Sequence, residues 1–256
     1  GNVFAATGGS KPGPSPYYYE GRWSNGPLWI DNVAYELGVK STRSSAGGTN
    51  FAYGGAKTCS ITGVTSDVPD MCQQVAMYLG ATGGKADSQA LYVIDAASVG
   101  NNMLAVLGSA GAVPNSAVTE TAPNDVINMM QNLYNAGARR FLVTNSPNVG
   151  ATPYVKSLGA SAAAGAAALS NGFNSVLSAK LTSFSANNSG SNVRLVDFYT
   201  AGSNLSSFSN TQAPCLNPTT FAICESPDAY QYWDPFHPTA ASGRIMSNTA
   251  LSAIAE

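Results

Sequence analysis

At 256 residues the chain is long enough for one α/β domain with a substantial core, or at most two small ones, and no composition shift or charged linker marks a boundary within it. The formal net charge is -2, with 12 Lys plus Arg and no basic cluster, which removes the electrostatic case for nucleic acid or an anionic membrane as partner. Only 10% of residues are charged, while Ser, Thr, Asn and Gly abound, a balance more typical of secreted proteins than of cytosolic ones.

Taken in chain order, Pro27 to Leu37 places Trp29, Val33 and Leu37 on one face, starts at a proline and stops at Gly38, which predicts a helix. Val68 to Leu79 repeats the design with Met71, Val75 and Leu79, ending at Gly80. Ala90 to Asp95 is short and apolar and reads as a buried strand. Asn124 is placed to cap a helix burying Val126, Met130 and Leu133, and Arg140 to Thr144 reads as a second buried strand. A long Ala-rich helix is expected from about Tyr154 to Ser183. Its stretch from Ala160 to Ala168 is too short and small-residued for a membrane span and suits close packing on a sheet. A third strand is expected at Val193 to Phe198 and a last helix after His237. Helices alternating with short buried strands imply a parallel sheet covered on both faces, a three-layer α/β/α sandwich of flavodoxin-like order with its sites at the carboxyl ends of the strands. The first clear element is a helix with no strand before it, so the opening, central strand is expected to be absent. A single domain over 1–256 is expected.

Four cysteines fall into two close pairs, Cys59 with Cys72 and Cys215 with Cys224. Pairing by proximity is the simplest of three connectivities and suits an oxidising compartment; four buried free thiols are the alternative. No C-x-x-C pair exists, which leaves zinc little support, and no metal or other cofactor is expected. Asn187-Asn188-Ser189 and Asn204-Leu205-Ser206 contain N-x-S glycosylation acceptors. Together these point to an extracellular protein, with any leader expected before Gly1.

The sole histidine, His237, stands three residues after Asp234 on a turn braced by Pro235 and Pro238. A carboxylate so placed can hold the Nδ1 hydrogen, fix the tautomer and stabilise the imidazolium formed when Nε2 takes a proton. The plainer reading is an Asp-x-x-His turn that opens the last helix. Ala96-Ala97-Ser98-Val99-Gly100, after a strand, admits a nucleophile elbow in which Ser98 precedes Asp197 or Asp234 and then His237, as in α/β-hydrolases, although alanine replaces the first glycine of G-x-S-x-G.

Longer strings carry a resemblance. Gly21-Arg22-Trp23-Ser24-Asn25-Gly26-Pro27-Leu28-Trp29, then Asn50-Phe51-Ala52-Tyr53-Gly54-Gly55-Ala56, Leu91 to Ile94, Ala136 to Val143, and Cys224 to Thr239 resemble, in order, the recurrent strings of the GDSL (SGNH) esterase/lipase family. The resemblance implies a carboxylic ester hydrolase with a Ser-His-Asp mechanism, His237 as general base and Asp234 as its partner. It implies an oxyanion site from Gly55, beside Gly54, and an asparagine that aligns with Asn101, with Asn102 as the alternative, since the family's G-x-N-D is altered here. The family's nucleophile lies in an N-terminal G-D-S-L-S-D-x-G-N segment whose last G-N resembles Gly1-Asn2. The serine is therefore expected before Gly1 and absent from the 256 residues, Ser98 being the alternative. Tyr18 and Trp23 fall near the family's active-site face and are candidates to line an acyl pocket or stack on sugar rings, whereas Arg22 and Asn25 are expected to fix that loop's shape. A small-molecule, lipid or polysaccharide ester is the expected substrate and a monomer the expected state. A catalytically inactive lipid- or glycan-binding member is the alternative function.

Overall fold

The computed structural model describes residues 1–13, 16–59, 61, 63–203 and 205–256. Three parallel strands form the main sheet in the order β1 (Leu91–Ile94), β2 (Arg140–Thr144), β3 (Asn192–Val196). Leu91 lies opposite Arg140, and Arg140 opposite Asn192. Parallel neighbours need crossovers, and the chain supplies them with helices: α4 (Val99–Gly108) and α5 (Ala122–Ala136) between β1 and β2, then α6 (Pro153–Ser157) and α7 (Ala160–Asn187) between β2 and β3. No described strand pairs with the outer edge of β1.

The pleat of β2 shows why two layers of helix are required. Phe141 and Val143 face one way and Leu142 the other, and all three are fully buried. Phe141 and Val143 join a large core with α3 (Met71–Ala81), α4, α5 and α7, whose Ala166, Leu169, Phe173, Leu177, Leu181 and Phe184 recur at helical spacing. Leu142 and Val196 join a smaller core with Trp29 and Val33 of α2 (Trp29–Glu36) and Ala250 and Ala253 of α9 (Ala240–Ala255). This is the expected α/β/α sandwich. A short α1 (Asn2–Ala6) precedes it, α8 (Phe198–Ser203) follows β3, and β4 (Asn210–Pro214) pairs in parallel with β5 (Tyr230–Tyr232) in a second small sheet.

Several boundaries differ from the sequence reading. α3 begins at Met71 because Asp70 caps it: its carboxylate accepts from Gln73 N at 2.8 Å while Gln73 Oε1 accepts from Asp70 N at 2.9 Å. Asn124 is no cap; it lies inside α5, which runs on from a π-turn at Ala117–Thr121. The long helix is broken at Leu158 and Gly159, between α6 and α7. Leu37 follows α2 and is 45% exposed, so that face ends at Val33. Phe198 opens α8 rather than closing β3.

The cysteines pair as proximity predicts, Cys59 with Cys72 and Cys215 with Cys224, with Cα separations of 5.2 and 4.9 Å. None is left free for zinc. Asn187 is exposed at the end of α7, while the second acceptor, Asn204, lies outside the described residues. Among the described residues no helix is long and apolar enough to cross a membrane.

Candidate active site

The Asp234–His237 turn is fixed from both ends. β5 delivers the chain at Tyr232, Trp233 N donates to His237 O at 2.8 Å, and Thr239 caps α9 by accepting from Ser242 N while its hydroxyl bonds back to Tyr230 O. Inside the turn, Oδ1 of Asp234 accepts the backbone N–H groups of Phe236 and His237, both at 2.8 Å. His237 Nδ1 then sits 2.9 Å from Oδ1 and 2.8 Å from Oδ2. The segment is thus both the turn that opens the last helix and a carboxylate–imidazole pair.

Asp234 is 3% exposed. Burial alone would push its carboxyl up, but the His237 charge and the hydrogen bonds from His237 and the two amides outweigh it, and the carboxyl is held below its ordinary value. An ionised Asp234 keeps the proton of the neutral ring on Nδ1 and leaves the lone pair on Nε2, the state a general base requires.

The family strings of the sequence converge here. The Trp23 ring stacks on His237 with centroids 4.7 Å apart. Gly54 lies directly against the Trp23 indole nitrogen, so a side chain there would displace the ring that covers His237. Ser24 Oγ donates to Pro238 O at 2.9 Å, and Asn25 Oδ1 accepts from Ala240 N at 2.8 Å, which ties the early loop to the start of α9. Arg22 grips Asp31 with two bonds, of 2.6 and 3.1 Å. Arg22 and Asn25 therefore shape the loop, as expected. Asn2, buried at 2%, donates to Asn50 O and Ala52 O and so knits the first residues to the Asn50–Ala56 string.

The sequence profile of the GDSL-like Lipase/Acylhydrolase family matches residues 4–249. The chain belongs to that family. It is 27% identical over 257 residues to the GDSL esterase/lipase At1g73610 of Arabidopsis thaliana, covering 87% of this chain and 74% of the relative. It is 27% identical over 244 residues to an Acetylesterase of Thermothelomyces thermophilus, covering 90% and 75%. A shorter match, 33% over 128 residues, covers 50% of this chain and 19% of Lipase 1 of Photorhabdus luminescens. Membership supports a carboxylic ester hydrolase.

Within this GDSL fold the remaining candidates separate. Gly55 is exposed at the tip of its turn with φ +84, a conformation glycine adopts without strain, and a Cβ added there would meet nothing within 4 Å. Asn101, on α4, donates from Nδ2 to Ala56 O at 2.9 Å, which places it beside Gly55. Asn102 points elsewhere: it is 1% exposed, accepts from Thr58 N and donates to Thr58 Oγ1, so both ends of its amide are taken by the protein interior. Ser98 has φ -53 and ψ -20, an ordinary right-handed turn entering α4, not the strained turn of a nucleophile elbow. Asp197 accepts from Asn145 Nδ2 and Thr200 N at the start of α8, which leaves His237 to Asp234.

Tyr18 makes a contact that its sequence reading does not anticipate. Its hydroxyl donates to Asp234 Oδ2 at 2.9 Å, and its ring meets Trp23 edge-on at 5.8 Å. Nothing in a short motif could reveal a bond spanning 216 residues; the only sequence signal was the aromatic cluster in a Gly/Pro-rich loop. Beside the turn lies a groove of about 660 Å³ lined by Tyr154, Pro214, Ile223, Tyr230, Pro235 and the Cys215–Cys224 bridge. Tyr154 links it to the turn through a tilted ring contact with Phe236, centroids 4.4 Å apart.

Proposed function

We propose that the chain forms, as one secreted domain over 1–256, the body of a serine ester hydrolase in which Asp234 orients His237 and the turn at Gly55 with Asn101 holds the oxyanion. The observation that carries the reading is the two-oxygen contact of Asp234 with Nδ1 of the only histidine, whose ring stacks on the Trp23 indole that in turn lies against Gly54 of the second family string. The nucleophile in this reading is the serine of the family's G-D-S-L segment, outside the 256 residues. As its Oγ attacks the ester carbonyl carbon, His237 Nε2 takes the hydroxyl proton. The same proton passes to the alkoxide as the carbonyl–oxygen bond breaks, releasing the alcohol. Water then repeats the sequence on the acyl-enzyme and frees the acid. The Gly55 amide and Asn101 side chain would steady the negative oxygen, donors of a kind worth about 10²–10³ in rate each. The groove beside Tyr154 and Phe236 carries no charged lining residue and suits an apolar part of a small-molecule or lipid ester.

The test joins an N-terminal strand ending in G-D-S-L to the chain and compares it with its Ser→Ala twin on p-nitrophenyl acetate. A large gain with serine, lost with alanine and lost again on His237→Ala, is expected. Residual rates of about 10³–10⁴ over water survive loss of a triad member, so the comparison rests on the difference between twins. Brisk hydrolysis by the untouched chain that disappears on Ser98→Ala would overturn this placement of the nucleophile. No gain from the serine strand, together with retained ester or glycan binding, would favour the binding-protein alternative.

A further inference from the structure

We infer that Tyr18 is a positioning residue for the Asp234–His237 pair, setting by its hydroxyl how strongly the carboxylate holds the imidazole; the inference rests on the dyad reading above. The four hydrogens reaching the Asp234 carboxylate are unequally placed. Oδ1 is occupied by the amides of Phe236 and His237, both supplied by the turn itself. The Nδ1 hydrogen of His237 faces both oxygens, at 2.9 Å from Oδ1 and 2.8 Å from Oδ2, and Oδ2 receives one further donor, the Tyr18 hydroxyl, from the far end of the chain. Two donors sharing one oxygen divide its charge, so each bond is weaker than it would be alone. Tyr18 thus moderates the pull of Oδ2 on the Nδ1 hydrogen.

The donor is itself held. The Tyr18 ring packs against the cluster of Cys215, Leu216 and Trp233, and the loop that carries it is closed by the bond from Tyr19 N to Ser24 O at 2.9 Å. Burial, then the Asp234 charge and the hydrogen bond to it, push the phenol well above its ordinary value, so it remains a donor throughout the range in which an esterase works. Tyr17 stacks on Phe221, at 5.2 Å, and pins the same loop to the Cys215–Cys224 segment.

Because His237 is the only histidine, nuclear magnetic resonance of the whole chain with isotope-labelled histidine reports this one ring. Tyr18→Phe keeps the ring and its packing but removes the donor. The expected result is a downfield move of the His237 Nδ1 proton resonance, reflecting a stronger bond to Asp234, with an unchanged melting profile. Asp234→Asn serves as the second arm and should remove the downfield resonance. An Nδ1 resonance unmoved in Tyr18→Phe, while Asp234→Asn removes it, overturns the role of Tyr18 and leaves the dyad standing. A resonance indifferent to Asp234→Asn overturns the dyad itself, and the inference with it.

Discussion

The face of the sheet under α5 and α7 and the cluster around Asp234 are both buried, yet they are built by opposite means. Under α5 and α7, Met130, Phe141, Phe173 and Leu177 are fully buried in a dry core whose members repeat every three or four residues along a helix or every second residue along a strand. Around Asp234, order comes from single directional bonds between distant pieces of chain: Tyr18 to Asp234, Ser24 to Pro238, Asn25 to Ala240. The first region derives its stability from area removed from water, which is non-directional and tolerant of small shifts. The second holds donors and acceptors within hydrogen-bond distance, where a small misplacement alters chemistry more than it alters stability. Substitutions should therefore unfold the first and re-tune the second.

The largest break in that comparison is Phe141→Ala. Phe141 is fully buried in the central strand and meets Phe184 edge-on at 5.7 Å and Tyr92 at 6.1 Å. Truncation should cost about 3–5 kcal/mol in urea unfolding, the usual range for a buried Phe. Next comes the Cys215–Cys224 bridge, which closes a short loop beside the Asp234 cluster. Replacing both by Ser should lower stability by about 2–3 kcal/mol, and the Tyr17–Phe221 stack carried by that loop should loosen with it. If the double variant melted like the parent, the bridge would not be holding that loop.

Neighbouring asparagines sharpen the contrast within one helix turn. Asn102→Ala strips partners from the buried amide and hydroxyl of Thr58, whose hydroxyl also donates to Asp125, and should cost about 1–3 kcal/mol. Asn101→Ala removes one bond from a part-exposed site and should cost well under about 1 kcal/mol. In the serine-restored protein the order should reverse for kcat. Equal stability losses at the two positions would remove the distinction between an interior amide and the proposed oxyanion donor.

What the residues declared in advance follows the same division. β2 was legible to the residue, because the four successive apolar or β-branched positions Phe141 to Thr144, between the helix stop at Gly137 and Asn145, leave few alternatives. The reading of one helix from Tyr154 to Ser183 passes over the break at Gly159, although glycine can stop a helix: Gly159 takes φ +104, outside the helical region, and α6 before it docks against the turn at Pro235 through Tyr154 N to Pro235 O at 3.0 Å. Asn124 misled because a capping residue is recognised by what precedes it, and the π-turn at 117–121 has no sequence pattern of its own. At the candidate site, Asp234, His237 and Gly55 could be singled out from spacing and family strings. Asn101 is preferred over Asn102 only by alignment to an altered string; that the Asn102 amide is taken up by Thr58 depends on which face of α4 meets that residue, which the string does not show. Tyr18 was legible as an aromatic in the right loop but not as a donor to Asp234, since that bond depends on the positions of two ends of the chain.

The smallest expected effect tests the electrostatics of the Asp234 cluster. Asp234 ionises below its ordinary value of 3.8 in the folded protein, so the folded state binds its proton less readily than the unfolded chain does. Its contribution to stability is accordingly complete above the unfolded value and drains away as the pH falls through the lowered, folded one. Asp234→Asn removes the charge but keeps a side-chain oxygen for the amides of Phe236 and His237. The gap between parent and variant in denaturant unfolding should narrow as the pH falls below about pH 4, where the unfolded carboxyl takes up its proton. A gap that widened on acidification would mean that burial, not the imidazole and amide donors, governs this carboxylate. The core under α5 and α7 supplies the control: Phe141→Ala carries no titrating group, so its deficit should not follow that acid transition.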